Sequence, residues 1–144
     1  GITGATTREI DPKGTTCVID IMDSQKEKMK KEEFGGSMRL GTYEAKLKKG
    51  SLAEKLYGAQ SILERHRHRF EVSPTFIPAI ERAGMVFSGT SPDGSLMGIA
   101  ELPKDVHPFF IGSQFHPEFQ ARPLAPHPLF TGFIKAAITH KKGK

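Results

Sequence analysis

Apolar and β-branched runs alternate with polar punctuation along this chain, and the period of the pattern changes from place to place. Residues 1–13 have no period; small residues lead into Asp11-Pro12-Lys13-Gly14, a turn signal. Residues 16–22 (TCVIDIM) are short, apolar and β-branched, which predicts a strand. Residues 23–33 are almost wholly polar and fit either a solvated helix or a loop, and Gly35-Gly36 breaks the chain after them. Residues 37–47 alternate as a strand does. Residues 51–57 predict a short helix, with Ser51 as N-cap, Glu54 three positions on and Gly58 at its end. Residues 62–72 alternate in their second half and predict one strand, and residues 74–83 predict a helix closed by Gly84. Residues 85–89 and 96–102 predict a hairpin about the turn Ser91-Pro92-Asp93-Gly94.

The most apolar run, residues 108–115 (PFFIGSQF), predicts a buried strand. A proline-rich loop at 123–128 precedes a terminal helix over 129–140, with Phe130, Phe133, Ile134 and Ala137 on one face. The sum is a strand-rich α/β chain with a C-terminal helix and few parallel crossovers of its own. Such a chain fits part of a larger sheet better than a complete doubly wound fold.

Composition narrows the function classes. The 144 residues make one domain, and 37% apolar content is enough for a core. No apolar run approaches the roughly 20 residues of a membrane span, so no membrane association is expected. The first residues lack the basic and apolar regions of a secretory signal. A single Cys excludes an internal disulfide and fits a reducing compartment, so a cytoplasmic location is expected. The net charge of +5 is concentrated in residues 26–31, in Arg65, Arg67 and Arg69, and in Lys141, Lys142 and Lys144. Trp is absent and no aromatic residues interleave with the two lysine-rich runs. A stacking platform for nucleic acid is therefore not expected.

Chemistry is concentrated in two segments. In Phe115-His116-Pro117-Glu118-Phe119, an extended chain would send His116 and Glu118 to one side and both Phe rings to the other. A carboxylate beside an imidazole fixes its tautomer and stabilises the imidazolium formed when it takes a proton. A turn histidine with an incidental acid is the plainer alternative. In Glu64-Arg65-His66-Arg67-His68-Arg69-Phe70, a strand would put the three Arg on one face and His66, His68 and Phe70 on the other. Clustered guanidinium groups suit a carboxylate ligand, which Arg binds bidentately, or simply neighbouring acids such as Glu44, Glu64 and Glu71. A metal site at His66 and His68, joined by His107, His116 or His127, lacks a Cys cluster or an H-E-x-x-H spacing. Cys17 lies in an apolar strand rather than in a Gly-x-Cys-x-Gly elbow, and reads as a small buried hydrophobe.

Four segments together resemble the CTP synthase family: GGSMRLG at 35–41, ERHRHRFEV at 64–72, FSGTSPDG at 87–94 and QFHPEF at 114–119. The stretch HPLFTGFIKAA at 127–137 is similar too, and the resemblance runs from about residue 4 to residue 137. The H-P-E element is general to class I glutamine amidotransferases; R-H-R-H-R and GGSMRLG are more specific. Residues 23–33 resemble the family least.

The resemblance implies that residues 1–144 are the C-terminal portion of a glutamine amidotransferase domain, the distal part of a flavodoxin-like three-layer sandwich. His116 and Glu118 then match the triad His and Glu, and Arg69 matches a glutamine-binding Arg. The family hydrolyses L-glutamine and passes the ammonia to a synthetase domain that aminates UTP to CTP. ATP and magnesium act in that synthetase domain, GTP activates allosterically, and the full-length protein is a homotetramer. No cofactor is expected in this portion itself. In the family, the nucleophile-bearing half and the synthetase domain precede the segment seen here. The 144 residues alone are therefore expected to be inactive. Another class I amidotransferase, a glutamyl hydrolase, or a degenerate amidotransferase-like module kept for binding are the alternatives; R-H-R-H-R argues against the first two, and the joint presence of His116, Glu118 and Arg69 against the last. A basic nucleic-acid adaptor is weakened by the missing aromatic interleaving.

Overall fold

The computed structural model describes residues 1–22 and 38–143. The polar stretch 23–33, the glycine break after it and the first lysine-rich run lie outside the described residues. Along the described chain the strands are β1 (Thr6–Thr7), β2 (Cys17–Ile21), β3 (Arg39–Leu47), β4 (Ser61–His68), β5 (Phe70–Val72), β6 (Val86–Thr90), β7 (Met97–Glu101) and β8 (Ile111–Ser113). The helices are α1 (Leu52–Tyr57), α2 (Ile77–Arg82) and α3 (Pro128–Lys142), with a 3₁₀ turn at Pro117–Phe119.

Two sheets result. One has the order β4-β3-β6-β7-β8, antiparallel throughout. The other has the order β1-β2-β5, with β1 parallel and β5 antiparallel to β2. This is the mixed α/β class read from the sequence, with its parallel pairing confined to two residues of β1.

The alternation in β3 and β4 turns one face inward. Register pairs Ala45 with Ile62 and Tyr43 with Glu64. Ala45, Leu47, Ile62, Ile99, Ala53, Phe115 and Leu129 form the apolar core. Burying a side chain such as Ile99, which is 1% exposed, stabilises by about 1.5–3 kcal/mol. The inward face of β4 becomes polar toward its end, where Glu64 and His66 are buried.

α1 forms where the sequence signals it. Ser51 Oγ accepts from the Glu54 N–H at 3.0 Å, and the buried Glu101 carboxylate accepts from the N–H groups of Leu52 and Ala53 at 2.7 and 3.1 Å. The helix's orphan donors are thus satisfied. Gly58 closes it at φ 65°, a left-handed conformation that only glycine adopts freely. α3 begins at His127, whose Nδ1 accepts from the Leu129 N–H. It approaches α1 through Gly132, where a Cβ would lie 2.5 Å from Leu56 and 3.1 Å from Phe109.

The structure differs from the expected elements in three places. The strand expected over 62–72 is two strands in different sheets. β4 ends at His68, opposite Arg39, and β5 starts at Phe70, opposite Ile21, so Arg69 is a bend between two ladders. The apolar run at 108–115 yields only the three-residue β8, at the edge of its sheet. Phe110, just before it, is 44% exposed. Lastly, Phe130, Phe133 and Ile134 of α3 are exposed, while Leu129 and Gly132 are buried. Close packing on α1 uses the small residue of the helix rather than its bulky face.

Candidate functional site

β7 and β8 lead the chain to Gln114, whose N–H donates to the Gly98 carbonyl at 2.9 Å. Phe115 is then buried in the core. The His116 N–H donates to the Arg65 carbonyl at 2.9 Å, which fastens this residue's backbone to β4. Its Nδ1 lies 2.7 Å from Glu118 Oε1. A carboxylate partner makes Nδ1 the donor, so Nε2 is left as the acceptor in the neutral ring. The hydrogen bond from His116 holds the Glu118 carboxyl below its usual range. Both side chains are partly exposed, so Nε2 belongs to a ring that solvent or a ligand can reach.

The two side chains meet for a reason other than strand alternation. Residues 117–119 form a 3₁₀ turn, in which positions three apart eclipse. Phe119 therefore stacks on His116, with centroids 4.8 Å apart and planes at 18°, instead of pointing to the opposite side. The expectation for Phe115 holds, since it is 3% exposed; that for Phe119 does not.

The second segment is also rearranged. Arg65 and Arg67 are exposed on the outer face of β4. Arg69 leaves that face at the bend, and its Nε is buried without a hydrogen-bond partner among the described residues. The three Arg therefore do not share one surface. His66 and His68 do share the inner face. His68 Nδ1 donates to the Phe70 carbonyl at 3.1 Å, so its Nε2 accepts, at 2.7 Å, from Nδ1 of His66. Burial and the nearby Arg39 push His66 down to about 3, and burial also lowers His68, so both are neutral near pH 7.

Beside them Glu71 is 1% exposed, and neither carboxylate oxygen has a hydrogen-bond partner among the described residues. Arg39 Nη1 stands 3.7 Å away, beyond hydrogen-bond reach, and His68 Nδ1 at 3.4 Å. Burial outweighs the attraction of Arg39 and pushes Glu71 up to about 7.

A further buried group braces the site. Glu64 accepts from the Tyr57 hydroxyl at 2.7 Å, His127 Nε2 at 2.8 Å and Gln120 Nε2 at 2.6 Å. Burial and this carboxylate raise the Tyr57 phenol. Gln120 Nε2 also reaches the Leu63 carbonyl at 2.9 Å, and Gln114 Nε2 donates to the Phe70 carbonyl at 3.0 Å. Two Gln side chains thus flank the His-Pro-Glu turn and tie it to β4 and to the start of β5. Sequence reading did not single out either one. They lie two residues before His116 and four after it, a placement that no period or ligand spacing marks.

Cys17 is buried in β2, with Sγ 3.3 Å from the Gly14 carbonyl. Among the described residues no group of three or more His, Cys, Asp or Glu side chains could hold a metal ion. His66 Nδ1 and His68 Nε2 bond to each other. No helix of the described chain is long and apolar enough to cross a membrane. A cleft of about 640 Å³ between α1 and α3, rimmed by Lys48, Lys55, Lys104 and Lys135, shares no residue with the His116 group.

Comparison with known proteins sets this geometry in context. Residues 4–136 match the sequence model of glutamine amidotransferase class-I. The CTP synthase of Thermobifida fusca is 50% identical over an alignment 145 residues long that covers 99% of this chain and 26% of that protein. The CTP synthase of Rubrobacter xylanophilus is 54% identical over 138 residues, 96% of this chain and 24% of that protein. The chain thus spans about a quarter of the length of these curated relatives. Among solved structures, the glutaminase domain of Trypanosoma brucei CTPS with bound acivicin superposes with a TM-score of 0.85 at 32% identity, covering 96% of this chain and 52% of that one. Matched over nearly its whole length in sequence and in fold, the chain belongs to the class I glutamine amidotransferase family.

Proposed function

We propose that this chain is the C-terminal portion of a glutamine amidotransferase domain, and that His116, Glu118 and Arg69 hydrolyse and bind glutamine there. The ammonia serves the ATP-dependent amination of UTP to CTP, the reaction that the resemblance to CTP synthase implies. The reading rests on one observation above all: the 2.7 Å contact between His116 Nδ1 and Glu118, on a backbone pinned to β4.

The chemistry requires a thiol from a part of the protein other than these 144 residues. His116 Nε2 takes the thiol proton, and the thiolate attacks the side-chain carbonyl carbon of glutamine. The protonated ring is stabilised by Glu118 and returns its proton to the departing nitrogen, which leaves as ammonia. Water, deprotonated by the same imidazole, then attacks the thioester and releases glutamate. Arg69 suits the α-carboxylate of glutamine, since guanidinium and carboxylate match as a bidentate pair. In this reading ATP and magnesium act in the synthetase domain, and none of the steps above runs through them. A cytoplasmic location and assembly as a homotetramer accompany the reading.

The test is His116→Ala in the full-length protein. Glutamine-dependent ammonia release is expected to vanish while CTP formation from added ammonia persists. Equal loss of both activities would contradict a local role for the imidazole.

A further inference from the structure

We propose that Gln114 is a positioning residue that sets Arg69 in register with His116. Glutamine must then be met at its α-carboxylate and its side-chain amide at once. The inference rests on the roles given to Arg69 and His116 above.

Arg69 is the single residue between two ladders, and β4 and β5 belong to different sheets. The pairing of either sheet does not by itself fix the angle of this bend. The carbonyl just beyond it, that of Phe70, receives two side-chain donors. One is His68 Nδ1 at 3.1 Å, a local contact within the same segment. The other is Gln114 Nε2 at 3.0 Å, from 44 residues away in sequence. Gln114 is itself held by its backbone N–H on Gly98, and two residues later the His116 N–H is held on Arg65. The Gln114 amide is therefore a strut from the His116 segment to the Arg69 bend.

The chemistry of the side chain suits this task. A neutral amide donates to a carbonyl and carries no charge beside a guanidinium or a substrate carboxylate. Met has nearly the same length without the donor, and Glu presents an acceptor to the Phe70 carbonyl. Asn keeps the donor but shortens the arm by one methylene.

The experiment measures glutamine hydrolysis by the full-length protein carrying Gln114→Met, Gln114→Asn or Arg69→Ala, and by the Arg69→Ala/Gln114→Met double variant. KM does not depend on the fraction of folded enzyme, so partial misfolding does not mimic the effect. Gln114→Met is expected to raise KM for glutamine about tenfold with kcat changed less than about threefold, as loss of a part-buried donor that aligns the substrate site would. Gln114→Asn is expected to fall between. On an Arg69→Ala background, Gln114→Met should raise KM no further, because the strut then has nothing to position. KM within about twofold of wild type in both Gln114 single variants, or independent effects that multiply in the double variant, would overturn the proposal. If Arg69→Ala and His116→Ala leave glutamine hydrolysis intact, the reading of the site itself falls. If they act as expected and the Gln114 variants do not, only the positioning role falls.

Discussion

At the scale of single residues, the site contrasts charges that are satisfied with charges that are not. Glu118 accepts a hydrogen bond from His116 and is held ionised. Arg69 has a buried Nε without a partner among the described residues, an arrangement that a bound carboxylate would complete. Replacing Arg69 with Ala should raise KM for glutamine about ten- to a hundredfold and leave kcat less affected, the pattern of lost ground-state binding. Steady-state ammonia release against glutamine concentration checks it; an unchanged KM contradicts the assignment. Glu71 is the opposite case, a carboxyl raised to about 7 by burial. Its folded form binds a proton more tightly than its unfolded form, so stability falls as pH rises from about 4.5 to 7 and stays reduced above. Glu71→Gln should therefore raise stability at pH 8 by about 1–3 kcal/mol and leave it unchanged at pH 4. Thermal unfolding at the two pH values tests this, and equal effects at both would remove the titration argument. His66 has the opposite sign: its lowered value costs stability as pH falls below about 6.5.

At the scale of elements, the site is a short turn clamped between strands and a helix. Glu64 joins four of them, since it reaches α1 through Tyr57, α3 through its cap His127, and the end of the 3₁₀ turn through Gln120. Removing the carboxylate takes an acceptor from Tyr57, His127 and Gln120, of which Gln120 Nε2 keeps the Leu63 carbonyl. Glu64→Ala is expected to cost about 2–4 kcal/mol, visible as a shifted denaturant midpoint. Glu64→Gln keeps some acceptor capacity and should cost less. Similar small losses for both would mean that this network is not what braces the turn. The same scale places His66 and His68: His66 Nδ1 bonds to His68 Nε2, and His68 Nδ1 bonds to the Phe70 carbonyl at the start of β5.

At the scale of the whole molecule, apolar surface is conspicuous. Phe130, Phe133, Ile134 and Ile138 of α3 are 43–57% exposed, and Phe110 beside β8 is 44% exposed. A run of this kind fits a chain that completes its packing against further structure. This chain also corresponds to 52% of the Trypanosoma brucei glutaminase-domain chain. If residues 1–144 are the distal half of the domain, co-expression with the preceding half should restore ammonia release from glutamine. A folded, co-purified pair that stays inactive while the intact domain is active would refute that reading.

Much of this was legible in the sequence because it is local. Ser51, Glu54 and Gly58 set α1 through contacts within a few residues. Turn chemistry at 91–94 set the hairpin, where Asp93 is held at about 2 by hydrogen bonds from Ser91 and Ser95. The His116–Glu118 pair is two positions apart, so any compact backbone would bring it together. Its geometry, though, came from a 3₁₀ turn that alternation does not foresee. What only the tertiary structure decided depends on partners far along the chain. Arg69 left its strand because β5 pairs with β2 and not with β3. The bulky face of α3 points outward because Gly132 permits the closer approach to α1. Gln114 reaches Phe70 across 44 residues. Periodicity reports which face a residue takes within its own element, and none of these three facts is a property of one element.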